Sequence, residues 1–459
     1  MVKGVQTTGF ICFAAALGGL LFGFDTAVIS GTIQLVNKQF NMNAVTEGWF
    51  VSSGLLGSII GVIIAGLLSD KIGRKNVLIL SAVLFLASGL GCAWSDSADM
   101  LVWYRLVGGI GVGVASVISP MYIAEFAPAR SRGKMISLYQ LAITVGILLA
   151  YFSNAFLLDQ TANAGNDSFL LRWLLQKEVW RSMFLVMAIP SLVFMLALLL
   201  VPESPRWLLL KGKTERALSI LKVVRGESAA AEEYKAITAS LAKNLRSART
   251  IFSKDIRPLL LIGVLLAVFQ QFSGINAIIY YGPKIFAAAG LDNADALYSQ
   301  VIIGVVNVIF TGVAISLSDK WGRKPLLIWG LSGIISSLVV VGACFYTDYT
   351  NGPLLLGMLL LFIACFALSL GPITWILINE IFPGDVRVRA VSFCTLTLWM
   401  AVWLVGQFFP WLLESVGAAG IFWIFAGFST LNLLFCLKIL VETKGKTLEE
   451  IENIFVAGH

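Results

Sequence analysis

The chain has 459 residues, of which 58% are Ala, Val, Ile, Leu, Met, Phe, Trp, Tyr or Cys and 13% are charged, about half the charge of an ordinary globular domain. So little polar surface cannot cover a water-soluble fold, which excludes a soluble enzyme, and the apolar residues suffice for about a dozen bilayer crossings. The formal charge of +7 does not point to nucleic acid, because the Lys and Arg residues fall between apolar runs and not on one polar face. All six cysteines (Cys12, Cys92, Cys344, Cys365, Cys394, Cys436) lie inside such runs, which argues against a disulfide framework or a zinc cluster. The sole histidine is His459, so no histidine metal site or proton relay is available.

Taken in chain order, apolar stretches long enough to span a bilayer run over 9–31, 48–69, 76–95, 100–124, 135–158, 182–201, 258–281, 297–318, 325–346, 353–379, 390–413 and 417–437, which makes twelve predicted spans. The first reads as an uncleaved span, since no small-residue cleavage site follows it. Loops on the side of the N-terminus hold 27 Lys and Arg, against five on the other side (Lys38, Arg172, Lys177, Arg181, Lys284). The excess of positive charge predicts that both termini are cytoplasmic. The expected division is a six-span bundle over 1–201, a cytoplasmic helical linker over 202–257, a second six-span bundle over 258–441 and a cytoplasmic tail over 442–459. In the linker, Ala217, Ile220, Leu221 and Val224, then Tyr234, Ile237, Leu241 and Leu245, recur at helical spacing between charges and predict short amphipathic helices. Gly57 and Gly61, like Gly109 and Gly113, have the spacing of helix-packing seams.

The sequence repeats itself. Leu68-Ser69-Asp70-Lys71-Ile72-Gly73-Arg74-Lys75 after span 2 returns as Leu317-Ser318-Asp319-Lys320-Trp321-Gly322-Arg323-Lys324 after span 8. Glu125-x-x-Pro128-x-x-x-Arg132 after span 4 returns as Glu380-x-x-Pro383-x-x-x-Arg387 after span 10. Pro202-Glu203-Ser204-Pro205-Arg206-Trp207 after span 6 has a weaker echo after span 12, Val441-Glu442-Thr443-Lys444-Gly445. Two homologous halves in parallel orientation suit alternating access, in which one half rocks against the other. The carboxylates Asp70, Glu125, Glu203, Asp319 and Glu380 and the guanidinium groups Arg74, Arg132, Arg323 and Arg387 are then candidates for a cytoplasmic gate of charge-assisted pairs. Helix capping and topology signalling account for single charges of this kind but not for the repeated spacing.

These motifs, together with Gly66-x-x-x-Asp70-Lys71-x-Gly73-Arg74-Lys75 and Gln270-Gln271-x-x-Gly274-x-Asn276, resemble the sugar porter family of the major facilitator superfamily, and within it the bacterial proton-coupled symporters of the D-xylose type. The resemblance covers nearly the whole chain. It implies an all-α membrane protein of twelve helices in two bundles that carries a small neutral sugar with a proton, in a bacterial cytoplasmic membrane, as a monomer in contact with lipid and with no cofactor beyond the proton. A facilitative sugar uniporter, a cyclitol or polyol symporter and a non-transporting sugar sensor are the competing readings. A membrane-embedded enzyme lacks a visible nucleophile and base.

Among 33 Lys and Arg and 26 Asp and Glu, only Asp25 and Arg105 fall inside a predicted span. Charge there costs roughly 2.5–3.5 kcal/mol per residue on insertion scales and marks ion pathways. Asp25 is the carboxyl placed to take up and release a proton in mid-membrane; a permanent structural ion pair is the alternative. The resemblance assigns proton coupling to Asp25 and the partner role to Arg105. If the two occupy each other, the substrate is neutral. Gln140, Gln270, Gln271, Asn276 and Asn307 offer amides that both donate and accept hydrogen bonds, as sugar hydroxyls require, and Phe22, Trp375 and Trp399 offer rings for the apolar face of a sugar; helix-to-helix bonding and core packing are the competing uses. Three of the amides surround a weak point at Ser273-Gly274, and interrupted helices mark transporter sites. By resemblance, Gln140, Gln270, Gln271, Asn276 and Trp375 match the family's sugar ligands. The xylose-type symporters carry a glutamine and an asparagine where this chain has Leu398 and Val402, so span 11 has lost two polar groups.

Overall fold

In the computed structural model the described residues are 2–128, 132–163, 178–244, 250–254, 256–350, 353–383 and 386–444, and among them there are helices and no strands. The expected tail beyond Lys444 and most of the stretch between spans 5 and 6 lie outside them. Spans 1 to 5 are the helices Val2–Phe40, Ala44–Ile72, Arg74–Ala93, Ala98–Phe126 and Arg132–Asn163. Span 6 is Val179–Val186 followed by Ala188–Leu200. Spans 8 and 9 are Asn293–Trp321 and Arg323–Tyr346. Hydropathy finds the part of a helix that crosses hydrocarbon, so several helices run past the predicted ends: span 1 continues through Gln34, Asn37 and Lys38 to Phe40.

Among the described residues, eleven helical segments are long and apolar enough to cross a membrane. The twelfth predicted span is fused to the eleventh in the helix Arg387–Lys438, in which Gly417 is non-helical (φ 70°, ψ 171°). Fifty-two residues rise about 78 Å, more than twice the hydrocarbon thickness. Gly417 therefore turns the chain back, and spans 11 and 12 lie on either side of it. Two further spans are interrupted. Span 7 is Arg257–Phe272 and Ile275–Ala288, parted at Gly274, whose φ of 89° is left-handed. Span 10 is Pro353–Leu368 and Leu370–Glu380, parted at Ser369. The first break falls at the predicted weak point; the second was not anticipated, although Gly371-Pro372 signals it.

The predicted glycine seams form. A Cβ on Gly57 would lie 3.0 Å from the Cα of Gly109, and one on Gly61 3.0 Å from the Cα of Gly113, so spans 2 and 4 meet backbone to backbone. Spans 1 and 5 pack in the same manner. Outward-facing Leu67, Leu200, Trp329 and Trp103 are exposed, as a surface solvated by lipid requires. The linker forms the helices Pro205–Leu210, Thr214–Arg225 and Glu227–Asn244. Ala217, Leu221 and Val224 are buried, as their spacing predicts, and the Thr214–Arg225 helix rests against the start of span 1. Leu245 lies outside the described residues.

Candidate substrate and proton site

Asp25 in span 1 and Arg105 in span 4 are each 3% exposed. Arg105 Nη1 donates to Asp25 Oδ1 at 3.0 Å and to the Asp25 carbonyl at 3.3 Å. Glycine makes the room: a Cβ on Gly54 would stand 2.8 Å from Arg105 Nη2. Arg105 Nε has no hydrogen-bond partner. The pair borders a void of about 10 Å³, lined also by Gly54, Ser58, Tyr280 and Trp399. That is room for roughly one water beside the ion pair. Tyr280 was not among the expected site residues, because a tyrosine in an apolar run reads as packing.

The aromatic and amide candidates divide. Phe22 and Trp399 face each other across the two halves with ring centroids 5.4 Å apart, and Trp375 is half-buried against the core. Asn276 Nδ2 donates to Gln271 Oε1 at 2.5 Å, Gln271 Nε2 donates to Gln270 Oε1 at 3.1 Å, and Gln270 Nε2 donates to the Leu370 carbonyl at 2.7 Å. The amides of span 7 thus form a relay that ends on the carbonyl of Leu370, the first residue of the second helix of span 10. Buried polar groups need partners, and the relay supplies them. Gln140 is half-buried in span 5. Asn307 is buried in span 8, one turn from Gly304, against which Leu148 and Tyr151 of span 5 pack.

The repeated motifs build the same structure twice at the end of the bundle that carries the termini. Arg74 pairs with Asp70 at 3.1 Å and Glu125 at 3.4 Å, and Arg323 pairs with Glu380 at 3.1 Å. Glu203 accepts from the backbone N–H of Arg74 and Lys75 at 3.0 and 3.2 Å. Glu442 accepts from those of Arg323 and Lys324 at 3.0 Å each. Each carboxylate thereby caps the N-terminus of the helix that follows the repeat, where the helix dipole favours an anion. Glu442 was not among the expected gate residues, although it is the counterpart of Glu203. The Arg387 guanidinium donates to the Phe382 carbonyl at 3.0 and 2.9 Å. The side chains of Arg132 and Asp319 lie outside the described part. Among the described residues, the ion pairs formed by these repeated motifs join groups within one half.

At the opposite end the halves touch through polar groups. Tyr151 of span 5 donates to the Ile279 carbonyl at 3.1 Å, and Ser52 of span 2 donates to Gln407 Oε1 of span 11 at 2.6 Å.

Two six-helix bundles, two broken helices and an ion pair buried in the first bundle where Tyr280 and Trp399 of the second face it define a secondary transporter of the major facilitator fold and not an enzyme. The chain matches the sugar (and other) transporter family over residues 11–455, and it belongs to that family. It is 43% identical over 455 residues to the arabinose-proton symporter of Bacillus subtilis (strain 168), covering 98% of this chain and 96% of that protein. It is 40% identical over 477 residues to the D-xylose-proton symporter of Escherichia coli (strain K12), covering 97% and 95%. The partially occluded inward-open conformation of the xylose transporter XylE from E. coli is similar in structure, with a TM-score of 0.84 at 39% identity over 96% of this chain and 100% of that one. XylE bound to 6-bromo-6-deoxy-D-glucose gives a TM-score of 0.81 at 39% identity over 98% and 99%.

Proposed function

We propose that the chain is a proton-coupled symporter that imports a neutral monosaccharide, a pentose or hexose, by alternating access. The observation that carries this reading is the buried Asp25–Arg105 pair, which shares one void with Trp399 of the opposite half. Ionised Asp25 holds the guanidinium; a proton on Asp25 weakens that hold, so proton uptake and rearrangement of the site are coupled. Gln140, Gln270, Gln271, Asn276 and Asn307 exchange their mutual or solvent hydrogen bonds for sugar hydroxyls, and Phe22, Trp375 and Trp399 cover the apolar face of the ring. The names of the relatives support a sugar and a proton as the cargo.

The excess of Lys and Arg supports cytoplasmic termini, with the bundles at 1–201 and 258–441, the linker at 202–257 and the tail at 442–459. The protein works as a monomer in a bacterial cytoplasmic membrane and takes no cofactor beyond the proton. In that orientation the end at which Tyr151 and Ser52 bond the opposite half faces outward, which suits an inward-facing state.

Uptake of labelled pentoses and hexoses into proteoliposomes, with and without an imposed proton gradient, tests the reading. One proton moved through 100 mV supplies about 2.3 kcal/mol, or roughly fifty-fold accumulation. Asp25→Asn is expected to abolish accumulation and to spare exchange of labelled for unlabelled sugar. Accumulation retained by that variant would overturn the role of Asp25, and wild-type uptake that only equilibrates under a gradient would make the protein a uniporter.

A further inference from the structure

Glu47 lies in the first turn of span 2 and is only 2% exposed. Its Oε1 accepts from Lys284 Nζ at 2.7 Å and its Oε2 accepts from Asn37 Nδ2 at 2.5 Å. Lys284 belongs to the second helix of span 7. The ion pair therefore joins the two halves at the end away from the termini. Around it the seam is tight: Gln407 Nε2 donates to the Val45 carbonyl at 3.3 Å while its Oε1 accepts from Ser52. A Cβ on Gly48 would overlap the Gln407 carbonyl. Span 2 is thus clasped to spans 7 and 11 together.

We propose that Glu47 and Lys284 form a latch that closes the outer end of the transporter and sets the balance between inward- and outward-facing states. The inference rests on the alternating-access reading above. When the outer seam opens, the two residues part with their halves and each regains water. When it closes, Glu47 is taken out of water, and among the described residues its carboxylate is held by Lys284 and Asn37 at the N-terminus of its own helix. A buried pair of this kind adds little net stability over an apolar contact, but removal of one partner strands a charge. The latch thus acts as a conditional element: closure is favoured only when Lys284 arrives. Both are positioning residues, acting on the sugar site only through the relative placement of the halves. In the sequence Lys284 counts as a loop charge and Glu47 falls just outside a span, because the apolar windows begin at 48 and end at 281.

The test uses the full chain in nanodiscs, with spin labels on cysteines introduced at Met100 and Glu414, exposed positions at the outer ends of the two halves; the native cysteines are buried or half-buried. Wild type without sugar is expected to populate mainly the short distance. Lys284→Gln and Glu47→Gln are expected to raise the ratio of long to short distances about ten-fold or more. Lys284→Arg should keep the wild-type distribution, and the exchanged pair Glu47→Lys with Lys284→Glu should return most of the way to it. Unchanged distributions in the single variants, or an exchanged pair no better than either of them, would overturn the latch. The readout needs no transport, so a chain that carries no sugar would sink the proposed function and leave this measurement standing. A merely structural pair would lower the folding yield or melting temperature without the recovery on exchange.

Discussion

Leu398 is buried one residue before Trp399, the ring that meets Phe22 across the halves. A glutamine there would reach the same neighbourhood with an amide, and one sugar hydrogen bond is worth about 0.5–1.5 kcal/mol. Either the chain prefers a different sugar or Thr395 or water restores ordinary affinity; in the first case Leu398→Gln is expected to improve binding of xylose relative to the native substrate. Isothermal titration of both proteins against xylose, glucose, galactose and inositol measures it; an unchanged rank order with unchanged affinities would show that position 398 does not face the sugar. At this scale Asp25 and Arg105 were legible in the sequence, because charge inside an apolar run has few uses. The backbone carbonyl that receives Gln270 was not, since it depends on where a second helix breaks a hundred residues later.

The helix ends at the termini side show what an element needs. Gly73 and Gly322 part consecutive helices with φ of 97° and 95°, a region closed to other residues, and a Cβ on Gly322 would stand 2.7 Å from the Glu442 carboxylate. Gly322→Ala is expected to cost roughly 1–3 kcal/mol and to lower the apparent melting temperature in detergent; an unaltered transition would refute the strain. Partial burial pushes the Glu442 carboxyl up, but hydrogen bonds from the backbone N–H of Lys444, Arg323 and Lys324, with the charge of Arg323, outweigh it and hold the group below its ordinary value of 4.5. A depressed carboxyl stabilises the fold fully above its unfolded value and loses that contribution as pH falls through the folded one. The melting-temperature gap between wild type and Glu442→Gln should accordingly be constant above about pH 4.5 and close below it. A gap independent of pH would contradict the capping role. Sequence similarity hid Glu442, because around it Glu-Thr-Lys replaces Glu-Ser-Pro, while the structure preserves the acid, its distance to the N-terminus of the helix that follows the repeat and the hydroxyl beside it that bonds the repeated glutamate. The break at Gly274 was readable from a glycine beside amides. That at Ser369 was screened by the leucines around it.

For the whole molecule, the repeated networks join helices within each half, and halves that move as units are what rocking requires. Glu380 accepts from Arg323 at 3.1 Å and from the Thr443 hydroxyl at 2.6 Å. Glu380→Gln and Arg74→Ala are expected to slow net transport about ten-fold while changing equilibrium sugar affinity less than about three-fold, because they alter the balance of states and not the site. An affinity loss as large as the transport loss would place these residues in support of the site. The narrow void beside Asp25 also has an electrical meaning. In the alternating-access reading, the seam made by Tyr151 with Ile279, Ser52 with Gln407 and Glu47 with Lys284 separates that void and its carboxyl from the outer end and acts as the insulator of a capacitor. Most of a membrane voltage then falls across this thin layer, and charge placed on Asp25 from the open side crosses little of the field; it is the later exchange of access, when the insulating layer changes sides, that moves the charge through the voltage.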